Sequence, residues 1–199
     1  MKFVLARFAC EVAAAGALAA ALAAPAAADD FTARLFGRAP GKGATYACFT
    51  RVYDEAHLKG HPQQNVRAMY ALAKIDSDFP NSYDVRIGSY FRNIKGRLDT
   101  EGSCGMEAAP SDEYGAKTMH CGVACDGGSI DVAVQDNGSL LIGIPERARL
   151  WRPGDDMPNS VHGAFGPDDK LFRLDRAKPA ACLPLADDAA DRREIARAK

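Results

Sequence analysis

The sequence predicts an all-β domain: an antiparallel meander of seven to eight strands forming a small barrel or sandwich. Three observations predict it. Apolar and polar residues alternate with a period of two in several stretches, most cleanly from Ile130 to Ile144, and that period marks strands with one buried face. Turn residues punctuate the alternation at Phe79-Pro80-Asn81-Ser82, Asp126-Gly127-Gly128 and Asp136-Asn137-Gly138. Little of the chain past residue 28 has helical spacing, and strands joined by short connections pair as antiparallel hairpins.

The hairpin at 130–144 is the clearest of these elements. Ile130, Val132 and Val134 share one face, and Leu140, Ile142 and Ile144 form the apolar row beyond the turn. A two-residue Asn137-Gly138 turn would turn that second row to solvent. A three-residue loop with Gly138 in the left-handed region pairs Val134 with Leu140, Val132 with Ile142 and Ile130 with Ile144. Burying each such side chain stabilises by roughly 1.5–3 kcal/mol, far more than any preference between turn types, so the bulged register is expected.

Residues 1–28 read as a secretory signal peptide. Lys2 and Arg7 supply the basic start, Val12 to Ala23 the apolar run, and Ala26-Ala27-Ala28 a small-residue cleavage site before Asp29. The run is about a dozen residues, against about 20 needed to span a bilayer, and no later stretch is long and apolar enough. The expected product is soluble, in the periplasm or secreted. Losing Lys2, Arg7 and Glu11 takes the 25 basic and 26 acidic residues of the whole chain to 23 and 25. That balance gives no support for nucleic-acid or membrane-surface binding.

The remaining sequence divides into a flexible lead-in at 29–43, a single β domain at 44–184 and a charged, Ala-rich tail at 185–199. The lead-in holds Phe31, Leu35 and Phe36 and has room for one helical turn. Tyr46 to Tyr53 reads as the first strand, and His57 to Pro62 as a loop. Gln63 to Ile75 fits helix and strand spacing alike; strand is favoured because its neighbours form a meander. Tyr83 to Phe91 alternates cleanly, and Ile94 and Leu98 continue it with a bend near Gly96. Lys117 to Cys125 is another strand, Glu146 to Arg152 extends the central hairpin, Pro153 to Lys170 is a surface loop, and Leu171 to Asp175 is the last strand. The tail has little apolar area, and a frayed end is expected.

Export makes disulfides the first reading of Cys48, Cys104, Cys121, Cys125 and Cys182. On one strand, Cys121 and Cys125 stand about 13 Å apart, too far to bond. Antiparallel pairing across the connection at 109–115 puts Cys104 opposite Cys121. Cys48 and Cys182 bond if the first and last strands meet. The odd count leaves a free thiol, or a disulfide-linked dimer.

Two stretches carry a resemblance. With its Ala-rich leader, Tyr53-Asp54-Glu55-Ala56-His57-Leu58 and Cys125-Asp126-Gly127-Gly128, the chain resembles uncharacterised exported proteins of alphaproteobacteria over most of its mature length, which implies export but no activity. In strand count alone it is similar in outline to the small barrels of the lipocalin and avidin class, without the lipocalin Gly-X-Trp start.

Chemical motifs are sparse. No Gly-X-Ser-X-Gly elbow, P-loop or dinucleotide fingerprint occurs. His57 and His61 have zinc-like i, i+4 spacing, but Gly60 and Pro62 break the helix that would align them. His120 alternates away from Cys121 and Cys125, which disfavours a metal set; a Cys–His nucleophile pair would need His57 or His162 delivered by the fold. Asp155-Asp156 and Asp168-Asp169 are too sparse for a calcium loop and read as solvated acids. No metal or cofactor is expected. Arg147, Arg149 and Trp151 fall on one strand face opposite Ala148 and Leu150, and Arg–aromatic rows bind carboxylates and phosphates. They are the candidate ligand-binding residues. The expected function is a non-enzymatic exported binding domain for a small ligand or a protein partner. The alternatives are a periplasmic hydrolase with a Cys/His site and an envelope protein that forms a disulfide-linked dimer.

Overall fold

The computed structural model describes residues 28–105, 109–111, 114, 116–155 and 164–198. The expected leader, apart from Ala28, lies outside the described residues, as does His162. Eight antiparallel strands close into a barrel, confirming the predicted class and choosing barrel over sandwich. Going round it, β1 (Ala44–Val52), β2 (Val66–Asp76), β3 (Ser82–Phe91) and β4 (Arg97–Gly105) follow one another. A short β5 (Ala109–Ser111) pairs with the start of β6 (Ala116–Val123), along the edge that β4 also uses. The circuit runs on through β7 (Ser129–Val134), β8 (Leu140–Gly143) and β9 (Leu171–Ala177), which returns to β1.

The 63–75 ambiguity resolves as strand β2, whose inward row is Met69, Ala71, Ala73 and Ile75. The central hairpin keeps the bulged register: Val134 opposes Leu140 and Val132 opposes Ile142. Gly138 has φ +79°, and Gln135 donates to Ser139 across the loop. Tyr83–Phe91 and Arg97–Gly105 are two strands rather than one bent strand, because Gly96 at φ +88° ends a complete reversal.

The interior is filled. Phe49, Met69, Ile87, Leu98, Met119, Ile130, Leu140, Ile142 and Phe172, one or more from each of the eight barrel strands, point into it and are less than 2 % exposed. One end is plugged by α1 (Ala28–Phe36), which corrects the flexible lead-in. Phe31 and Leu35, spaced i, i+4, and Phe36 are buried, and the Phe31 and Phe36 rings meet Tyr83 at 6.5 and 6.3 Å. Arg34 ties the helix to Val134 O and Asp136. The other end is covered by Tyr53, Ile94, Trp151 and Phe165, which pack on the same core.

A second, smaller core lies outside the barrel. Past β9 a 3₁₀ helix (Pro179–Leu185) and α3 (Ala189–Arg197) lie against β1 and β2, burying Tyr46, Cys48, Leu72, Cys182, Leu185 and Ile195. The tail is therefore held rather than frayed: Asp188 caps α3 at the Asp191 amide, and Asp191 bonds Tyr46 and Lys74. Both expected disulfides are present. Cys104–Cys121 joins directly opposed residues of β4 and β6. Cys48–Cys182 ties β1 to the 3₁₀ helix, not to a last strand. Both bridges are within the chain, and Cys125 is free and exposed. Among the described residues no helix is long and apolar enough to cross a membrane.

Candidate functional site

Arg147, Arg149 and Trp151 lie on a segment held by isolated bridges, Gly128 with Ala148 and Asp99 with Trp151, rather than on a continued strand. The expected alternation survives, with Ala148 and Leu150 buried between them. The three side chains have separate tasks. Arg147 donates to Asp126 O, and Trp151 packs on the barrel core. Arg149 is half-buried, and its Nε has no hydrogen-bond acceptor. Among the described residues the row offers one guanidinium with an unpaired Nε, not a converging set.

His57 sits in a short helix, α2 (Glu55–Gly60), not in a loop; the Asp54 side chain caps it by accepting from the His57 amide at 2.7 Å. His61 closes that helix, and Tyr53, His57 and His61 stack ring on ring at 4.6 and 4.5 Å. Stacked imidazoles direct their in-plane lone pairs side by side rather than onto one ion, and His57 Nε2 is engaged by Gln64 Oε1 at 3.0 Å. Among the described residues no cluster of three or more His, Cys, Asp or Glu could hold a metal ion.

His120 points away from Cys121, as alternation requires, and its Nδ1 lies 2.6 Å from Asp131 Oδ1. Tyr114 donates to the other carboxylate oxygen at 2.9 Å, a position open to it because residue 143 is glycine: a Cβ there would lie 2.3 Å from the Tyr114 hydroxyl. The carboxylate thus orients the imidazole as in a catalytic dyad. No described cysteine supplies it with a nucleophile. Cys125 lies beyond the end of β6 and forms no hydrogen bond with a described histidine, while Cys48 and Cys121 are in disulfides.

The acid pairs also separate. Asp156 lies outside the described residues. Asp169 is fully buried and accepts from the amides of Asn65, Val66 and Gly166, while Asp168 accepts from Gln63. Together they lock the turn at 166–169 onto the start of β2. Burial raises the Asp169 carboxyl above its ordinary value, against the pull of the three amides.

A cleft of about 420 Å³ opens where α1 ends, between β1, β9 and α3, within the size range of small-molecule sites. Phe36, Ala44, Ala47, Pro179 and the Tyr46 ring give it apolar walls, and Arg38, Arg176, Arg197 and Glu194 give it charge. Arg176 donates to the carbonyls of Leu35 and Arg34 at 3.1 and 2.7 Å, and its guanidinium carbon stands 4.6 Å from the Phe49 ring centre. Partial desolvation lowers its pKa. Arg38 and Arg197 are exposed and have no carboxylate partner among the described residues. The Tyr46 hydroxyl is turned to Asp191 and Glu194, at 2.7 and 3.4 Å, which leaves its ring as wall.

Sequence reading missed this cleft because its three arginines come from positions 38, 176 and 197, which only closure of the barrel and the return of the tail bring together. No known protein family, no curated protein and no solved structure matches this chain.

Proposed function

We propose that this chain is an exported, non-enzymatic binding domain that takes a small ligand on the outside of its barrel, in the cleft between α1, β1, β9 and α3. One observation carries the reading: the barrel interior is packed with side chains and covered at both ends, so recognition falls to the outer surface. Two disulfides that staple the chain to itself support an oxidising compartment. Cys125 forms no hydrogen bond with a described histidine and the other described cysteines are in disulfides, which favours binding over a Cys/His hydrolase.

The test is expression of the whole chain with its own leader in a Gram-negative host, then fractionation and native mass spectrometry of the soluble protein. The expected result is a periplasmic, shortened chain that carries a small molecule and releases it on denaturation. Retention in the cytosol at full length, or a chain that carries no small molecule from any source, overturns the reading.

A second reading rests on Cys125, an exposed thiol in a turn where Cys125 and Asp126 both have positive φ. An envelope protein could use it for a covalent dimer. Non-reducing electrophoresis of the exported protein separates the two: a band of doubled mass that Cys125→Ser abolishes favours the dimer.

A further inference from the structure

We infer that the cleft is built for an amphipathic anion: a carboxylate or phosphate head on a compact apolar body. The inference rests on the binding-domain reading above and adds the ligand's chemistry. Three guanidinium groups face one carboxylate around the opening, so the site carries an excess of positive charge in a chain whose formal net charge is −1. The excess is local, and the cations are not consumed by the fold. Arg38 and Arg197 form no ion pair among the described residues. The Arg176 donors to Leu35 and Arg34 leave part of its five-donor fork open.

Position matters as much as charge. Arg176 is held by two backbone carbonyls and by Phe49, so little side-chain freedom remains for a ligand to freeze, and preorganised donors of this kind favour affinity. Arg38 follows Gly37, whose φ of +70° ends α1 and turns the chain toward the opening. Arg197 comes from the last turn of α3. Guanidinium forks match the two oxygens of a carboxylate or phosphate, whereas a bare inorganic anion would leave Phe36, Pro179 and the Tyr46 ring uncovered. The walls therefore ask for an apolar body attached to the head.

The test uses the full oxidised mature chain and titration calorimetry with octanoate, octyl phosphate, octanol and inorganic phosphate. At least one of the two charged amphiphiles should bind saturably at one site, and whichever binds tighter identifies the head. Octanol should bind more weakly by about tenfold or more, the factor expected from a lost charge-assisted hydrogen bond, and inorganic phosphate by about tenfold or more because it buries no alkyl chain against the walls. Arg176→Ala should weaken binding by a similar factor. Because Arg176 also holds α1, Arg38→Gln and Arg197→Gln are the decisive variants: both side chains are exposed and pair with no acid among the described residues, so folding should not change while affinity falls and its salt dependence shrinks.

Equal binding of octanol and octanoate, or affinity unchanged in the Arg38→Gln, Arg197→Gln double variant, overturns the inference. If the exported protein carries a small molecule that neither octanoate nor octyl phosphate displaces, the binding-domain reading survives and the amphipathic-anion assignment falls.

Discussion

Gly102 on β4 lies against Cys121 on β6, so closely that a Cβ at position 102 would come within 2.8 Å of the Cys121 Cβ and 3.0 Å of Ile130 Cδ1. The contact sits at the seam of the barrel, where β4 and β6 share only three residue pairs, one of them Cys104 with Cys121. Closure therefore depends on a glycine and a disulfide more than on ladder length. Gly102→Ala should destabilise by about 1–3 kcal/mol, the usual cost of overpacking. Gly105→Ala is the matched control: its new methyl would meet nothing within 4 Å, and it should be near neutral in urea denaturation.

The two disulfides should differ in worth. The seam bridge closes 17 residues and the outer one 134; in the chain-entropy account their removal costs about 3 and about 5 kcal/mol. Paired Cys→Ala replacements compared by urea midpoint test the order. In the intact oxidised mature protein, a thiol reagent should label one cysteine, and Cys125→Ser should remove the label without lowering stability.

These bridges also show what could be read in advance. The register of the central hairpin was readable because a one-residue slip would turn a whole apolar row to solvent, whereas the Cys104–Cys121 pairing rested on antiparallel pairing across a connection too long to fix it. The helices were less so. Leu35 stands at i+4 from Phe31, and Asp54 sits at the capping distance from His57, so α1 and α2 did leave local signals, each only one turn long. α3 has a single buried anchor, Ile195, in a run of alanine and charge, so its docking depends on partners far away in sequence. The same holds for the cleft: its three arginines lie at 38, 176 and 197, so no single strand or helix carries two of them.

Ile195 gives that docking a measure. It is fully buried against the Cys48–Cys182 region outside the barrel, and a large-to-small change there should cost about 2–4 kcal/mol. Because α3 lies outside the main core, Ile195→Ala should show first as faster amide exchange at 189–197, with barrel strands still protected. Protection unchanged along α3 would mean that Asp191, through Tyr46 and Lys74, holds the tail without it.

Arg149 tests the remaining Arg–aromatic candidate. Its Nε is buried without an acceptor, a state that costs stability, so Arg149→Met should leave the melting temperature unchanged or raise it. Trp151→Ala should cost about 2–3 kcal/mol, somewhat less than a fully buried Trp, because Trp151 is only partly covered. If Arg149→Met also leaves ligand retention intact, position 149 plays no part in recognition.

Asp169 predicts a pH dependence with a definite sign. Its carboxyl is pushed above 3.8 chiefly by burial, with neighbouring Asp168 adding to the rise and the Gly166, Asn65 and Val66 amides opposing it. The folded state then binds its proton more tightly than the unfolded state does. Wild-type stability should fall as pH climbs from the ordinary carboxylate value through the raised one. Asp169→Asn keeps an acceptor for the amides but cannot titrate, so it should be less stable than the wild type, by a margin that shrinks as pH climbs from the ordinary carboxylate value through the raised one. Asp99, raised by burial against the pull of Arg97, contributes equally to both proteins and cancels in the difference. Urea midpoints of the pair across that range decide the matter: a margin that grows with pH would mean that the three amides outweigh burial and hold the carboxylate ionised.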